Sequence, residues 1–398
     1  MKVLVVGGAG FIGTGISEYA IKAGYQVTAI TRKTHTWHDV TDKIDSVKLD
    51  WNNYNAAVDF MKDSYYDVVV DGLVYDKKML ERDLGIFKGK CKHYFFVSSA
   101  GVYNQPCVNQ SEDMPINLNA IDWEVMRKKR EAELFLEGVW DDLPFITTVI
   151  RPSITYGDTR IPGGLLSRKN QMTLIQRILD NKPIILAKDN GARHPLTRID
   201  IFSKAVVGLF MRHDTHKQFF HIADDVSYTW DEVVLSIGNA LNVKTNVIHI
   251  DVEKIKKLDK DMYEEVRYNK YDEWTLDNSK IKKYVPDIEY HSNLVDDFKA
   301  IIPKIKKYNQ GNPLDEKFNI ISDLLIGDYC KNGDDKKERV IAENYYNNLS
   351  VDYVKWLKKE ERIVIKNEKN IRIRRRLKSE IKKMVPQCAV LFLKKIKK

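Results

Sequence analysis

Long uncharged apolar runs are missing from this sequence, which limits the kinds of protein it can encode. Its 398 residues contain no apolar stretch of about 18 residues free of charge, so we expect no membrane-spanning helix. The N-terminal MKVLVVGGAGFIG is apolar but interrupted by glycine and has no small-residue cleavage site, so a secretory signal is not expected either. Hydrophobic residues still make up 43% of the chain, which is enough for a sizeable core and argues against global disorder.

Cysteine is also scarce, and the few that occur form no metal-binding pattern. The four cysteines are Cys91, Cys107, Cys330 and Cys388, scattered without the paired spacing of a zinc site. Thiols distributed in this way are most simply free, as in a reducing compartment. We therefore expect a cytoplasmic protein without a bound metal.

The body of the chain lacks an excess of positive charge, although the whole sequence carries +9. Residues 355–398 hold 17 Lys and Arg against 4 Asp and Glu, or +13, which leaves −4 on residues 1–354. A body of this charge gives no sign of nucleic-acid binding. Three interpretations of the basic tail stay open: peripheral contact with an anionic membrane surface, contact with an RNA backbone, or a solvated or partner-docking helix, which is favoured.

The first 150 residues alternate short β-branched runs with helical patterns, which is typical of β-α units around a parallel sheet. Continuous apolar runs at the strand positions indicate strands that are covered on both faces. The predicted strands are residues 2–6, 26–31, 46–49, 67–74, 93–99 and 144–152. The sequence therefore predicts an α/β fold with a doubly wound parallel sheet of the Rossmann type over residues 1–150.

A smaller lobe is predicted for residues 151–311, where the pattern becomes less regular. Its predicted elements are helices near 171–180, 201–212 and 229–241 and strands at 183–186 and 247–250. Residues 312–398 form a basic extension, for which the sequence predicts only partial helix.

Gly7, Gly10 and Gly13 form a G-x-x-G-x-x-G pattern directly after the first predicted strand. Glycine here permits a tight turn, close approach of the backbone to a pyrophosphate, and close packing of helix on strand. The helix that follows directs unpaired N–H groups at the phosphate, so Phe11 and Ile12 at its start belong to the predicted cofactor site. A purely structural turn is the less favoured alternative, because strand, turn and helix occur in the required order.

The residues after the second and third strands bear on which dinucleotide is bound. NAD favours an acidic residue after the second strand, whereas Arg32 with Lys33 suits the 2′-phosphate of NADP. We therefore predict NADP or NAD as the cofactor, with NADP favoured, and keep two solvated surface cations as the alternative. Asp50, after the third strand, is a candidate acceptor for the adenine amino group.

Four motifs make the chain resemble the extended short-chain dehydrogenase/reductase family, in its NAD-dependent epimerase/dehydratase branch that acts on nucleotide sugars. They are GGAGFIG at the N-terminus, VSSAGVY at 97–103, IRPSITYG at 150–157 and ARHPLTRID at 192–200. The resemblance covers roughly residues 1–300. It implies a dinucleotide-binding domain, a substrate-binding lobe over 151–311, a nucleotide-sugar substrate and, as is common in the family, a homodimer.

The resemblance also implies roles for individual residues. Ser99 matches the serine that hydrogen-bonds the sugar oxygen being oxidised, and Tyr103 matches a tyrosine placed by the substrate. Arg193 matches an arginine that grips the substrate diphosphate, a task that suits the paired donors of a guanidinium. The alternatives are a strand-end cap for Ser99 and a surface salt bridge for Arg193.

One element of the family pattern is missing, the tyrosine four residues before the catalytic lysine. When Lys129 is taken as that lysine, the tyrosine position is Val125; when Trp123 takes the aromatic position, Arg127 takes the lysine position. General acid–base help contributes about 10²–10⁴-fold to a rate, so its loss would cripple an ordinary oxidation. Three interpretations stay open: another group such as Tyr103 or a water held by Ser99 replaces the tyrosine, the reaction needs less proton transfer, or the fold binds without turnover.

Two functions are therefore predicted, and they belong to different classes. The first is an enzyme that uses NADP or NAD to act on a nucleotide sugar as an epimerase, reductase or dehydratase. The second is a non-catalytic dinucleotide-binding scaffold, whose basic tail binds a membrane surface or RNA.

Overall fold

The computed structural model describes residues 1–32, 41–291 and 293–396, and in the last helix the side chains up to residue 375. Its strands are β1 (Lys2–Val6), β2 (Gln26–Thr31), β3 (Ile44–Lys48), β4 (Tyr66–Asp71), β5 (Cys91–Val97), β6 (Cys107–Gln110), β7 (Ile146–Pro152), β8 (Ile154–Tyr156), β9 (Ile184–Ala187), β10 (His194–Arg198), β11 (Gln218–Ile222), β12 (Ser227–Tyr228), β13 (Val247–Ile250) and β14 (Trp274–Leu276). Its α-helices are α1 (Phe11–Lys22), α2 (Tyr54–Met61), α3 (Lys77–Phe87), α4 (Glu124–Val139), α5 (Met172–Leu179), α6 (Ile199–Gly208), α7 (Trp230–Leu241), α8 (Glu253–Leu258), α9 (Lys260–Asn269), α10 (Ser279–Tyr284), α11 (Leu294–Tyr308), α12 (Glu316–Asn332), α13 (Lys336–Asn347) and α14 (Val351–Ile396).

Seven parallel strands form the main sheet in the order β11-β7-β5-β4-β1-β2-β3. Both faces of the sheet are covered, which explains the continuous apolar runs in the sequence. On β1, Val3 and Val5 join a buried cluster with α1 and α6, while Leu4 and Val6 join a second cluster with α2, α3 and α4. The predicted doubly wound Rossmann-type α/β fold is confirmed.

All six predicted strands occur, but the sheet has a seventh that was not predicted. Strand β11 comes from the segment assigned to the smaller lobe and pairs with β7, so the sheet draws on residues beyond 150. Strand β4 ends earlier than predicted, at Asp71, because the carboxylate of Asp71 accepts a hydrogen bond from the Leu73 N–H at 3.1 Å and turns the chain. That early turn places residues 72–76 at the carboxyl edge of the sheet.

The strand order in the sheet changes direction at β1. Strands β2 and β3 lie on one side of β1, and the crossover after β3 leads to β4 on its other side. Crevices at the carboxyl ends of strands beside such a reversal are where open α/β sheets bind ligands. The topology therefore predicts the binding site at the carboxyl ends of β1 and β4.

The smaller lobe is built from short sheets and helices around a core of its own. Its sheets are β12-β10-β8, β13-β9 and β14-β6, and the last of these ties the lobe to the segment that follows β5. The buried Trp230 begins α7 and packs in the lobe core with side chains of α5 and α11. A capping box between Thr229 and Glu232 fixes the start of α7.

The extension is more ordered than the sequence indicated, because α12, α13 and the first part of α14 pack on the smaller lobe around a shared apolar cluster. A buried ion pair joins the two parts: the Arg177 guanidinium on α5 lies 2.9 Å from the Asp323 carboxylate on α12. The hydroxyls of Tyr345 and Tyr353 donate to the same carboxylate at 3.0 and 2.9 Å. A carboxylate with this many donors is fully satisfied in the interior.

A second polar contact joins the extension to the lobe at β13. The His249 ring lies between the carboxylates of Asp231, at 3.0 Å, and Glu338 on α13, at 2.7 Å. The hydrogen bond to Asp231 and the contact with Glu338 raise the pKa of His249 to about 9. Further along the extension, Arg375 of α14 pairs with Asp261 through both carboxylate oxygens.

Within the described ranges, no helix is both long and apolar enough to cross a membrane. The same part of the chain contains no cluster of His, Cys, Asp and Glu arranged to hold a metal ion. Cys91, Cys107 and Cys330 are free thiols, and Cys388 lies beyond the side chains that the structure describes.

Candidate functional site

A cavity of about 400 Å³ opens at the carboxyl edge of the main sheet, between the sheet and the smaller lobe. The ends of β1, β4 and β5 form one side of it, and residues that follow β7 and precede β14 form the other. The sequence-predicted residues that line it are Gly7, Gly10, Phe11, Ile12, Gly13, Ser99 and Lys129. The fold thus brings the glycine motif, the strand-end serine and the helical lysine into one place.

The glycine turn has the geometry that only glycine accommodates without strain. Gly7 has φ +85°, a backbone conformation that side chains disfavour. The N–H groups of Gly7 and Gly8 both donate to the Ile30 carbonyl, at 3.1 and 3.0 Å, which fixes the turn against β2. A Cβ on Gly13 would lie 2.5 Å from the Gly7 carbonyl oxygen, so the turn and α1 are packed backbone to backbone.

Helix α1 begins at Phe11, after Gly10, and no side chain caps it. The first N–H groups of a helix have no partner within the helix. Together with the positive end of the helix dipole, they favour an anion. The lining of the cavity therefore includes groups suited to a phosphate, at the position where the topology places a ligand.

Two of the residues predicted to select the dinucleotide, Arg32 and Asp50, lie at the same edge, outside the lining of the cavity. Arg32 directly follows β2 and is exposed, two residues beyond the carbonyl that holds the glycine turn. Asp50 is also exposed, and its carboxylate accepts from the Asn52 N–H at 3.2 Å. Lys33 lies outside the described residues. The cofactor roles of all three stay predictions.

Lys129 extends from α4 into the floor of the cavity, and its side chain is buried. Its ammonium group donates to the carbonyl oxygens of Val97, at 2.9 Å, and Ser98, at 3.3 Å, at the end of β5. Burial lowers the pKa of Lys129 to about 8, against the opposing influence of the Glu133 carboxylate. The two carbonyl oxygens thus hold the ammonium group in place. Because the pKa of Lys129 is about 8, the charged form is only modestly favoured over the neutral form at neutral pH.

Ser99 follows β5, and its position is compatible with both roles that the sequence left open, a cap at the strand end and a hydrogen-bond donor to the substrate. Its hydroxyl oxygen accepts from the Gly101 N–H at 3.1 Å, which caps a short 3₁₀ turn. The same side chain lines the cavity, and a hydroxyl that accepts one hydrogen bond can still donate another. Ser99 is therefore positioned by its own backbone contact.

The start of α4 shows what occupies the place of the missing tyrosine. Val125, one turn before Lys129, is 43% exposed and is not among the residues that line the cavity. Trp123 and Met126 line the cavity at this end of the helix. Neither side chain can exchange a proton usefully. No group on this turn of α4 replaces the acid–base function.

Tyr103 is not brought into the cavity. Its hydroxyl is buried, lies 2.9 Å from His221 Nδ1 and accepts from Arg151 at 3.1 Å. His221 Nε2 lies 2.7 Å from the Asp277 carbonyl oxygen, so that nitrogen carries the proton and Nδ1 accepts from Tyr103. Burial raises the pKa of Tyr103 despite the Arg151 charge. The geometry gives no support to Tyr103 as the replacement acid–base group.

The Arg151 guanidinium continues this buried network toward α4. It donates to both carboxylate oxygens of Glu133, at 3.0 and 2.8 Å, and both side chains are at most 2% exposed. Since Glu133 follows Lys129 by one helical turn, the pair fixes α4 against the sheet beneath the cavity. The buried Arg151–Glu133 ion pair therefore holds the helix that carries Lys129.

Arg193 lies outside the residues that line the cavity. Its guanidinium donates to the Ser227 carbonyl oxygen at 2.6 Å and to the Glu232 carboxylate at 3.2 Å. Both partners of the ion pair are nearly half exposed. In this structure Arg193 forms the surface salt bridge that was its alternative interpretation.

Three ionisable side chains in the cavity were missed by the sequence reasoning, namely Tyr75, Arg160 and Lys270. Lys270 is buried and lies 2.7 Å from the Glu265 carboxylate. Among the described residues, no hydrogen bond or ion pair engages the Arg160 guanidinium, whose pKa is lowered mainly by desolvation. The carboxyl-edge rule could have drawn attention to Tyr75, which lies just after β4, but no motif marks the other two.

Comparison with known proteins gives a family match at the N-terminal end of the chain and a distant curated relative. Residues 3–72 match the NAD dependent epimerase/dehydratase family. A curated relative, the chloroplast stem-loop binding protein of 41 kDa b of Arabidopsis thaliana, is 23% identical over 252 residues, which cover 60% of this chain. The match spans 63% of that relative's own length.

Solved structures share the fold over 77% of this chain. Pal from Bacillus thuringiensis superposes with a TM-score of 0.62 at 17% identity and is covered completely. UDP-glucuronic acid 4-epimerase from Bacillus cereus, solved with UDP-glucuronic acid and NAD, gives 0.61 at 17% identity and is also covered completely. MoeE5 with UDP-glucuronic acid and NAD gives 0.61 at 16%, again with all of that chain covered. The predicted resemblance to the epimerase/dehydratase branch is confirmed.

Proposed function

We propose that this relative of the NAD dependent epimerase/dehydratase family is an enzyme that binds NAD or NADP and acts on a nucleotide-activated sugar as an epimerase or reductase. The observation that carries the proposal is the convergence of the glycine turn, Ser99 and Lys129 in one cavity at the carboxyl edge of the sheet. The family match over residues 3–72 supports it, as do neighbours solved with NAD and UDP-sugars.

In this proposal the glycine turn and the start of α1 hold the pyrophosphate of the dinucleotide. Lys129, as the resemblance implies, holds the ribose next to the nicotinamide, and Ser99 donates to the sugar oxygen. A bound nicotinamide would supply the acceptor and donor for the hydrogen that moves at the sugar carbon. The chain's own residues bind, orient and exchange the proton.

The diphosphate of the substrate is assigned to the side of the cavity formed by the smaller lobe. Arg160 presents there a guanidinium that lies 6.0 Å from the centre of the Phe11 ring and has no carboxylate partner among the described residues, and the paired Lys270 adds a second positive group. A guanidinium without a carboxylate partner is well suited to a diphosphate. For Arg193 to bind the diphosphate as well, its salt bridge with Glu232 would have to open.

The direct test is calorimetry with NAD, NADH, NADP and NADPH, followed by turnover of a panel of UDP- and dTDP-sugars. We expect association with at least one dinucleotide and conversion of at least one nucleotide sugar. Absence of association with all four dinucleotides would remove the basis for the proposal. Dinucleotide binding without turnover of any sugar would instead favour the non-catalytic scaffold.

The preference for NADP over NAD is a separate prediction that depends on Arg32. An exposed guanidinium after β2 can donate to a 2′-phosphate, a charged hydrogen bond worth about 1.5–3 kcal/mol. We expect Arg32→Ala to weaken NADP binding by about tenfold or more and to leave NAD binding within about twofold. Calorimetry measures both, with Lys22→Ala at the far end of α1 as the control. Equal losses for the two dinucleotides would exclude contact between Arg32 and the 2′-phosphate.

A second candidate function, polyanion binding by the basic tail, is favoured by one comparison and one structural feature. The curated relative is named for stem-loop binding, and the basic residues of this chain are concentrated on α14 and beyond. Ending the chain at residue 375 removes 8 Lys and Arg, since those at 376–398 are lost, and keeps the Arg375–Asp261 contact.

We expect this truncation to weaken binding of a fluorescent RNA stem-loop by about tenfold or more and to reduce the salt dependence of that binding. Dinucleotide affinity, measured in parallel, should stay unchanged because the glycine turn is untouched. If the truncated chain keeps its RNA affinity, the tail is not the binding element. Loss of binding to anionic vesicles alone would assign the tail to a membrane surface.

A further inference from the structure

The loop between β4 and α3 carries a tyrosine to the wall of the cavity, close to Lys129. Tyr75 lines the cavity together with Ser99 and Lys129. Among the described residues that line it, Tyr75 is the one phenol, and the remaining ionisable groups are Lys129, Arg160 and Lys270. Lys270 is paired with Glu265, and an arginine does not exchange protons near neutral pH.

The backbone on both sides of Tyr75 is anchored. Before it, the Gly72 N–H donates to the Val6 carbonyl oxygen at 3.0 Å, and Val74 is fully buried. After it, the Asp76 carboxylate accepts from the Met79 N–H at 2.9 Å and caps α3. These contacts fix the Cα position of Tyr75, and from that position its side chain lines the cavity.

The charge that the reaction needs lies next to the ring of Tyr75. The Lys129 ammonium nitrogen is 5.3 Å from the ring centroid and is itself fixed by the carbonyls of Val97 and Ser98. In the family-like arrangement, lysine and tyrosine share one helix; here the lysine stays on α4 and the phenol comes from a neighbouring loop. The two side chains still line the same cavity as Ser99.

We propose that Tyr75 is the acid–base group of the sugar oxidation and takes over the task of the tyrosine replaced by Val125. This inference rests on the proposed function. A deprotonated Tyr75 would accept the proton of the sugar hydroxyl, and a bound oxidised dinucleotide would take the hydrogen on the same carbon together with its electron pair. The products would be a ketone, a neutral phenol and the reduced dinucleotide, and the reverse step would return the proton.

Tyr75→Phe tests the proposal, with Tyr65→Phe as the matched control. The two tyrosines lie just beyond opposite ends of β4 and are 50% and 49% exposed, but Tyr65 does not line the cavity. We expect Tyr75→Phe to lower turnover of a UDP-sugar by about 10²–10⁴-fold, while calorimetric affinity for NAD changes by less than about threefold. Tyr65→Phe should change neither.

Nitration by tetranitromethane, mapped by mass spectrometry, gives a reading that does not depend on turnover. Both tyrosines should be nitrated in the free protein, and NAD with UDP-glucose should protect Tyr75 alone. Full activity of Tyr75→Phe, or equal nitration of Tyr75 with and without these ligands, would overturn the inference. Failure of the wild-type protein to bind any dinucleotide would instead count against the proposed function itself.

Discussion

Replacing Glu133 with alanine should destabilise the protein by about 3–5 kcal/mol, the cost of leaving a buried charge without its partner. Arg151 is 2% exposed and donates to both oxygens of Glu133, so in the variant its guanidinium loses both of these hydrogen bonds, keeps the one to Tyr103 and has no access to water. Urea unfolding followed by tryptophan fluorescence measures the change in the free energy of unfolding. The same variant should lower activity, because Glu133 lies one turn from Lys129.

Glu137 provides the matched control for this experiment on the same helix. It pairs with Arg130 at 2.7 Å, its side chain is 32% exposed, and Arg130 keeps a second carboxylate, Glu133, at 2.9 Å when Glu137 is removed. A partly exposed pair of this kind contributes about 0–1 kcal/mol, so Glu137→Ala should have a small effect. The double variant Glu133→Ala/Arg151→Met should recover part of the loss, because the Arg151 charge is then no longer buried without its partner. If Glu133→Ala and Glu137→Ala destabilise the protein equally, burial of the Arg151–Glu133 pair does not determine its contribution to the free energy of unfolding.

Gly13→Ala should weaken dinucleotide binding by at least about tenfold while leaving most of the fold in place. The added Cβ would lie 2.5 Å from the Gly7 carbonyl oxygen and 2.9 Å from the Gly8 Cα, and backbone atoms cannot move aside as a flexible side chain can. The turn must open, which displaces the N–H groups that we propose bind the pyrophosphate. Losing one or two charge-assisted hydrogen bonds at about 1.5–3 kcal/mol each weakens binding by at least about tenfold.

Gly85→Ala is the control for the glycine experiment. Gly85 is also helical, in α3, but a Cβ there would meet nothing within 4 Å. The substitution should stabilise the chain by about 0.5–1 kcal/mol, since alanine favours helix over glycine, and should leave calorimetric dinucleotide affinity unchanged. Circular dichroism verifies that both variants are folded. Normal dinucleotide affinity in Gly13→Ala would show that the pyrophosphate does not occupy the glycine turn.

Much of the site could be predicted from the sequence because its parts are local. The glycine turn, the serine after β5 and the lysine on α4 each belong to a short motif, and parallel strands deliver such motifs to one edge of a sheet. All three line the cavity. The loss of the tyrosine at Val125 was equally visible, since the i and i+4 positions of a helix share a face.

What could not be predicted is which distant side chains complete the site. Tyr103 follows the serine motif closely, yet the fold turns its hydroxyl into a buried contact with His221 and Arg151. Tyr75 belongs to no motif, and only the pairing of β4 between β1 and β5 brings its loop beside Lys129. Side-chain direction after a turn depends on tertiary packing, which sequence spacing does not encode.

The sequence by itself determined the fold class, the positions of the first six strands along the chain and the glycine turn, because hydrophobic periodicity and glycine geometry are properties of short segments. The tertiary structure decided the seventh strand, β11, the docking of the C-terminal helices through Arg177 and Asp323, and the residues that share the cavity. Those features join segments that are far apart in the chain. The burial and charge pairing that stabilise them exist only when these segments are packed together in the folded protein.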